Sequence, residues 1–281
     1  MLSRKIGIDL GTSTMRIFVK GEGVVINERS PIEFERDSPR TLHHLIGMAS
    51  GRPRLFKPDV IVSVPSAVTS GERRRVTEAA ISAGARQVWL IDEPLAAAMG
   101  AGLPIGELRA SAICEIGAAT TEIAVIAHSG TVIERSIRVG GYAIDRAIAS
   151  RLLISEGDAE EVKIAVGSAM PMDQPLVMHL GSVEISSNQI VEAIEEPIHR
   201  IAAAIRDVLE ETPADLADDI RDRGIVLSGG GAQLRGLDRY ISMRAGIPAK
   251  VAEEPQTSVV RGTGMALENF EVLKRNQSYL R

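Results

Sequence analysis

The sequence predicts an α/β protein built from two related lobes that face each other across a cleft. Three observations predict it. A meander of three short strands occurs twice, each copy is followed by a strand–helix–strand–helix run, and 281 residues at 44% apolar suffice for two cores divided by a cleft.

The first meander reads as strands at 5–10, 15–20 and 24–27, broken at Gly11 to Thr14 and at Gly21 to Gly23. Its counterpart reads as strands at 111–115, 122–127 and 131–139, broken through Gly117 to Thr121 and through His128 to Gly130. Each copy ends its first strand on a carboxylate and places a glycine two residues on, Asp9 with Gly11 and Glu115 with Gly117. That match predicts an internal duplication. Ser30 to Pro58, rich in Pro, Arg and Ser, reads as loops around a short helix at Thr41 to Met48. Asp59 to Val64 is a nearly continuous apolar strand, followed by a helix over Ser70 to Ala83, a stop at Gly84, a strand at Gln87 to Ile91 and an alanine-rich helix after Pro94. The pattern recurs as a strand at Ile225 to Leu227, the triplet Gly229-Gly230-Gly231, a helix to about Ala245, Gly246, a strand at Ala249 to Val251 and a last helix after Pro255. Ile190, Ala193, Ile194, Ile198, Ile201, Ala202, Ile205 and Leu209 recur at helical spacing behind a cap at Ser187 or Asn188. Pro197 is expected to kink or split that helix.

Charged residues make up 25% of the chain, the net charge is −5, and no long basic run offers a footprint for nucleic acid, so nucleic acid is not expected as a partner. The start MLSRKIGIDLG reaches an acidic residue before any leader-like apolar stretch, and no segment approaches the length of a bilayer span. A cytoplasmic location is the expectation. The single cysteine, Cys114, lies in an apolar strand and reads as a small buried hydrophobe, which fits a reducing compartment.

Asp9-Leu10-Gly11-Thr12 sits where one strand turns into the next, so backbone N–H groups and a hydroxyl can face a phosphate while Asp9 holds a hydrated Mg²⁺. Alone, such a tetrapeptide is better read as a plain hairpin turn. The second copy, Glu115-Ile116-Gly117-Ala118-Ala119-Thr120-Thr121, supplies an opposing turn and reverses that preference, because two turns pinching one site suit a triphosphate. Gly229-Gly230-Gly231 lets backbone approach a flat ligand at a helix start, or is merely a tight connection. Glu93, at the start of a helix, reads by itself as a simple capping residue.

Five stretches carry a definite resemblance: IGIDLGT from Ile6, ERRRVTEAAISAGA from Glu72, LIDEPLAAAMGAGLP from Leu90, IVLSGGGAQLRGL from Ile225 and RGTGMAL from Arg261. With these the chain resembles, nearly end to end, the MreB-like bacterial actins within the wider family of actin, DnaK-type chaperones and sugar kinases. The resemblance implies an actin-like ATPase fold, a duplicated ribonuclease-H-like core around a nucleotide cleft that takes ATP or ADP with Mg²⁺. It implies that Gly11, Thr12 and Ser13 form the first phosphate turn, Gly117, Ala118, Ala119 and Thr120 the second, and Gly229, Gly230 and Gly231 the adenosine turn. Glu160 and Lys163 match the pair bordering adenine and ribose, although charge alone also fits a solvated helix face. Glu93 matches the carboxylate that orients the attacking water, Thr120 the hydroxyl beside the γ-phosphate, and Asp9 with Glu115 the groups that hold the metal through water. Leu55 and Phe56 match a loop that dips into membrane in some relatives, flanked here by Arg52, Arg54 and Lys57. They equally suit a cover over the sheet edge. The implied partners are further copies of the chain, in filaments, and the inner face of the plasma membrane.

The departures are specific. Glu115 stands for an aspartate, pushing its carboxylate out by one methylene, and a misplacement of roughly 1 Å costs about a hundredfold in rate. Ala118 and Ala119 stand for two glycines, where alanine is expected to resist the backbone conformation and crowd the phosphate. Tyr142 replaces an aspartate, while Asp145 is kept. The first lobe, 1–108, is expected to have lost most of its outer subdomain at about 28–58, and the second, 109–281, to keep only a small one at about 164–187. Two readings remain open: a filament-forming nucleotide-binding protein with weak hydrolysis, and a pseudo-ATPase scaffold. A sugar kinase is disfavoured by the lack of a sugar-binding insertion and by 3% aromatics, and a chaperone by the lack of a peptide-binding domain.

Overall fold

The structure, a computed structural model, describes residues 4–30, 39–50, 57–127 and 130–268. Strands β1 (Lys5–Leu10), β2 (Thr14–Val19) and β3 (Gly23–Arg29) form the first meander, followed by α1 (Pro39–Ser50), β4 (Asp59–Val64), α2 (Ser70–Ser82), β5 (Gln87–Asp92) and α3 (Glu93–Gly100). The second half opens with the meander β6 (Ser111–Ile116), β7 (Thr121–Ala127) and β8 (Gly130–Ile137). It continues through α4 (Gly141–Leu152), α5 (Glu156–Val166), β9 (Val177–Leu180), β10 (Val183–Ser186), α6 (Ser187–Glu211) and α7 (Ala214–Arg223). It closes with β11 (Ile225–Ser228), α8 (Leu237–Ala245), β12 (Ala249–Val251) and α9 (Ser258–Glu268).

The duplication is visible in the sheets. Their orders are β3-β2-β1-β4-β5 and β8-β7-β6-β11-β12, with each meander antiparallel and each run from the first strand outward parallel. The inner parallel strands are covered on both faces, which is why β4 and β6 are buried at every position and read as continuous apolar runs. In contrast β2 alternates between half-buried and buried, the pattern of a strand with one covered face.

Helices α3 and α9 wedge between the sheets, sharing a core with Ile61 of β4, Ile113 of β6, Ala124 and Ile126 of β7 and Val226 of β11. They approach backbone to backbone. A Cβ on Gly100 would collide with the carbonyl of Ser258, and one on Gly262 with that of Ala96. The small-residue stretches LAAAMG and RGTGM are therefore the packing surface that fixes one sheet against the other.

Two expectations need revision. Pro197 does not split its helix, since α6 runs unbroken for 25 residues with Pro197 buried inside it. Its N-cap is Ser186, which exchanges hydrogen bonds with Gln189 in a capping box. Ser187 and Asn188, the expected caps, instead accept from the amides of Leu176 and Met172 and so tie down the segment before β9. Within 164–187 lies a short antiparallel hairpin, β9 with β10, turning at Gly181.

Candidate functional site

Between the sheets lies a cavity of about 520 Å³, within the range of small-molecule sites. It is lined by Asp9, Gly11, Thr12, Ser13, Glu93, Glu115, Gly117, Ala118, Ala119, Thr120, Glu160, Lys163 and Gly229 to Gly231, so every expected nucleotide-site residue reaches one space. Leu55 and Phe56 lie outside the described residues.

The two turns are built alike and tethered differently. Gly11 to Thr14 and Gly117 to Thr120 each span four residues, all half-buried. The first is tied by Ser30, whose Oγ donates to the Gly11 carbonyl at 2.7 Å and whose amide donates to that of Ser13 at 2.8 Å. The second is tied by the start of α4: Gly141 N–H donates to the Gly117 carbonyl at 2.9 Å and Tyr142 N–H to that of Ala118 at 2.8 Å. The strain expected of Ala118 and Ala119 is not present. Leu153 is the only non-glycine among the described residues with positive φ, so both alanines sit in conformations any residue adopts.

The triplet behaves as close-approach backbone. Gly229 has φ +82° and a Cβ there would lie 2.5 Å from Glu115 Oε1. A Cβ on Gly230 would meet nothing within 4 Å, so nothing in the protein's own packing demands that glycine. The expected ribose pair is held from both sides: Lys163 Nζ lies 2.7 Å from Asp145 Oδ1, and Glu160 reaches across the cleft to Arg29 at 3.5 Å.

Charge at the floor of the cleft is set by strand register. Asp9 faces Arg16 across the first hairpin, and Glu115 faces Glu122 across the second. Burial raises the Asp9 carboxyl above its ordinary range, opposed by Arg16 Nη1 at 3.4 Å. Burial, then the charges of Glu122 and Asp9, push Glu115 well above the usual carboxylate range. Glu122 is pushed up to about 7, chiefly by burial, against hydrogen bonds from Ser136 and Ser66. The Ser66 amide, in the loop after β4, donates to Glu122 Oε1 at 3.1 Å, so this carboxylate joins the two halves.

Arg16, Ser30 and Glu122 were not singled out from the sequence. A signal existed for Arg16: a four-residue turn after Leu10 places residue 16 opposite residue 9. The fit to Mg²⁺ is poor. Asp9 already faces the Arg16 guanidinium at 3.4 Å, which competes with a metal ion for its carboxylate, and burial beside Glu122 and Asp9 disfavours the charged form of Glu115.

The MreB/Mbl protein family model matches residues 32–275. The cell shape-determining protein MreB of Escherichia coli is 37% identical over an alignment of 331 positions, covering 97% of this chain and 95% of the relative. That alignment exceeds the 281 residues present, so the relative carries positions this chain lacks. Among solved structures, MreB5 of Spiroplasma citri bound to AMPPNP superposes with a TM-score of 0.89 at 26% identity, covering 99% of each chain. A MamK double helical filament subunit shares the fold, with a TM-score of 0.80 at 17% identity, covering 95% of this chain and 99% of the other.

Proposed function

The chain belongs to the MreB/Mbl family of actin-like proteins, and from that membership we propose that it binds ATP or ADP between its lobes and assembles into filaments that serve cell shape. The observation that carries the proposal is the convergence of two equivalent turns and a glycine triplet on one cavity. Backbone N–H groups of the turns and the hydroxyls of Thr12, Ser13 and Thr120 would face the phosphates, and Gly229 to Gly231 the adenosine. MreB5, of the same family, is seen with AMPPNP and ADP.

Hydrolysis, in this reading, is slow. Glu93 opens α3 on the cavity wall, where it would orient a water for attack on the terminal phosphate. On the opposite side, burial beside Glu122 and Asp9 disfavours the charged form of Glu115. That same observation favours the second reading, a pseudo-ATPase whose clamp is static. Turnover by the purified chain above a Glu93→Ala control supports weak hydrolysis; equal rates in the two support the scaffold.

Among the described residues no helix is long and apolar enough to cross a membrane. Membrane contact is proposed at the periphery, through Leu55 and Phe56 by their likeness to the membrane-dipping loop, and requires many subunits acting together. Calorimetric titration with ATP and ADP tests the cleft, and negative-stain microscopy with and without nucleotide tests assembly. Absence of uptake of either nucleotide sinks the first claim, and uptake without filaments the second. Co-sedimentation with anionic vesicles, lost in a Leu55→Ser, Phe56→Ser double variant, tests the third.

A further inference from the structure

Four cations line the cavity: Arg16, Arg29, Lys163 and Arg235. Three are committed elsewhere. Lys163 is held by Asp145, Arg235 donates to the carbonyls of Ile164 and Gly167, and Arg29 stands at the rim with its side chain 80% exposed. Arg16 is different. Its side chain is only 12% exposed, it lies beside the first turn, and its one ion pair among the described residues, to Asp9, is long at 3.4 Å. Its Nε has no hydrogen-bond partner among the described residues. Burying a guanidinium with an unmade N–H bond is costly, and the scaffold does not require it, because the equivalent position in the second half is Glu122. The cost is offset when an anion reaches the free edge of the guanidinium.

The surroundings define that anion. Asp9, Glu93 and Glu115 line the same cavity, and no carboxyl group can neutralise a polyphosphate, so the phosphates need a cation at the point of entry. An arginine fork presents two parallel N–H groups to phosphate oxygens, and Asp9 can keep accepting from the remaining edge. We propose that Arg16 is the resident counter-ion of the bound polyphosphate, standing in for a divalent cation, so that this chain takes up ATP or ADP without Mg²⁺. The inference rests on the nucleotide reading of the cleft and goes beyond it in naming what neutralises the phosphates.

The test is calorimetric titration of the whole chain with ADP and with ATP, in excess EDTA and again with added Mg²⁺. Wild-type affinity is expected to differ by less than about threefold between the two buffers. Arg16→Gln is expected to lose more than about tenfold in EDTA, the worth of a charge-assisted bond, and to recover part of it with Mg²⁺. Arg16→Lys, which keeps the charge and loses the fork, falls between. Should Arg16→Gln not fold, the Lys variant and the wild-type comparison carry the test. Wild-type binding that collapses on chelation overturns the proposal while leaving the cleft assignment standing, as does undiminished binding by Arg16→Gln in EDTA. No uptake by wild type in either buffer overturns both.

Discussion

Gly11 to Thr14 and Gly117 to Thr120 join equivalent strands with four residues each, yet the side chain facing the carboxylate across the hairpin is Arg16 in one and Glu122 in the other. The backbone of a duplicated unit is constrained by its own hydrogen bonds, and both turns keep their closure. The side chains that face each other across each hairpin answer to charge instead, and there the halves have diverged: the first pairs a carboxylate with a guanidinium, whereas the second sets two carboxyl groups opposite each other. The difference teaches that the first hairpin sets a cation beside its carboxylate, whereas the second sets a carboxyl group there that also accepts from the Ser66 amide of the other half.

The largest expected effect breaks that asymmetry at Glu122. Its carboxyl ionises near 4.5 when unfolded and at about 7 in the fold, so the fold favours the neutral form. Stability is then unaffected below the lower value, declines as pH rises between the two, and is flat above the higher one. Glu122→Gln removes the charge and keeps an acceptor for Ser66. It is expected to match wild type near pH 4 and to exceed it by up to about 3 kcal/mol near pH 8. Urea denaturation across that range measures it, and a wild-type curve without slope refutes it.

A second contrast sharpens the backbone side of the comparison. A Cβ on Gly11 would lie 2.6 Å from the Thr14 carbonyl oxygen, whereas one on Gly117 would lie 3.3 Å from that of Thr120. Gly11→Ala must open its turn and is expected to cost about 2 kcal/mol, with nucleotide affinity falling in parallel, whereas Gly117→Ala should cost less than about 1 kcal/mol. Equal losses in the two variants would mean that the turns are closer copies than their geometry indicates.

Much of this was legible because it is written in short periods. The meanders, the flanking carboxylates and the punctuating Gly84, Gly229 and Gly246 are local signals, and the topology follows from their repetition. What escaped depends on partners distant in sequence. Arg16 occupies an unremarkable polar position in alternating β2, and only its pairing with Asp9 shows that it is buried beside the cleft. Glu122 looks like one acidic residue in an apolar strand until Ser66, 56 residues earlier, is found bonded to it. The hairpin of β9 and β10 is four residues a side and largely solvent-facing, too short and too exposed for its alternation to stand out. Pro197 misled because a helix packed along most of its length tolerates one lost hydrogen bond that an isolated helix would not.

The tethers give a smaller effect. Ser30→Ala deletes the hydroxyl that donates to the Gly11 carbonyl and leaves the amide bond to Ser13 in place, for an expected loss of about 1 kcal/mol. No side-chain deletion can do the same to the second turn, which is tied by backbone amides of α4.

The smallest effect concerns the alanines of the second turn. Glycine is needed where φ is positive or another atom intrudes, and neither alanine has positive φ. Replacing Ala118 by glycine therefore relieves nothing in the folded state and enlarges the set of conformations open to the unfolded chain. Ala118→Gly is expected to lower the urea midpoint by the equivalent of about 0.5 kcal/mol. A gain in stability would mean that the methyl is strained after all. Slow turnover, in the reading advanced above, has its cause one strand earlier, in the buried carboxyl of Glu115. On that account Glu115→Asp should change the hydrolysis rate more than Ala118→Gly does.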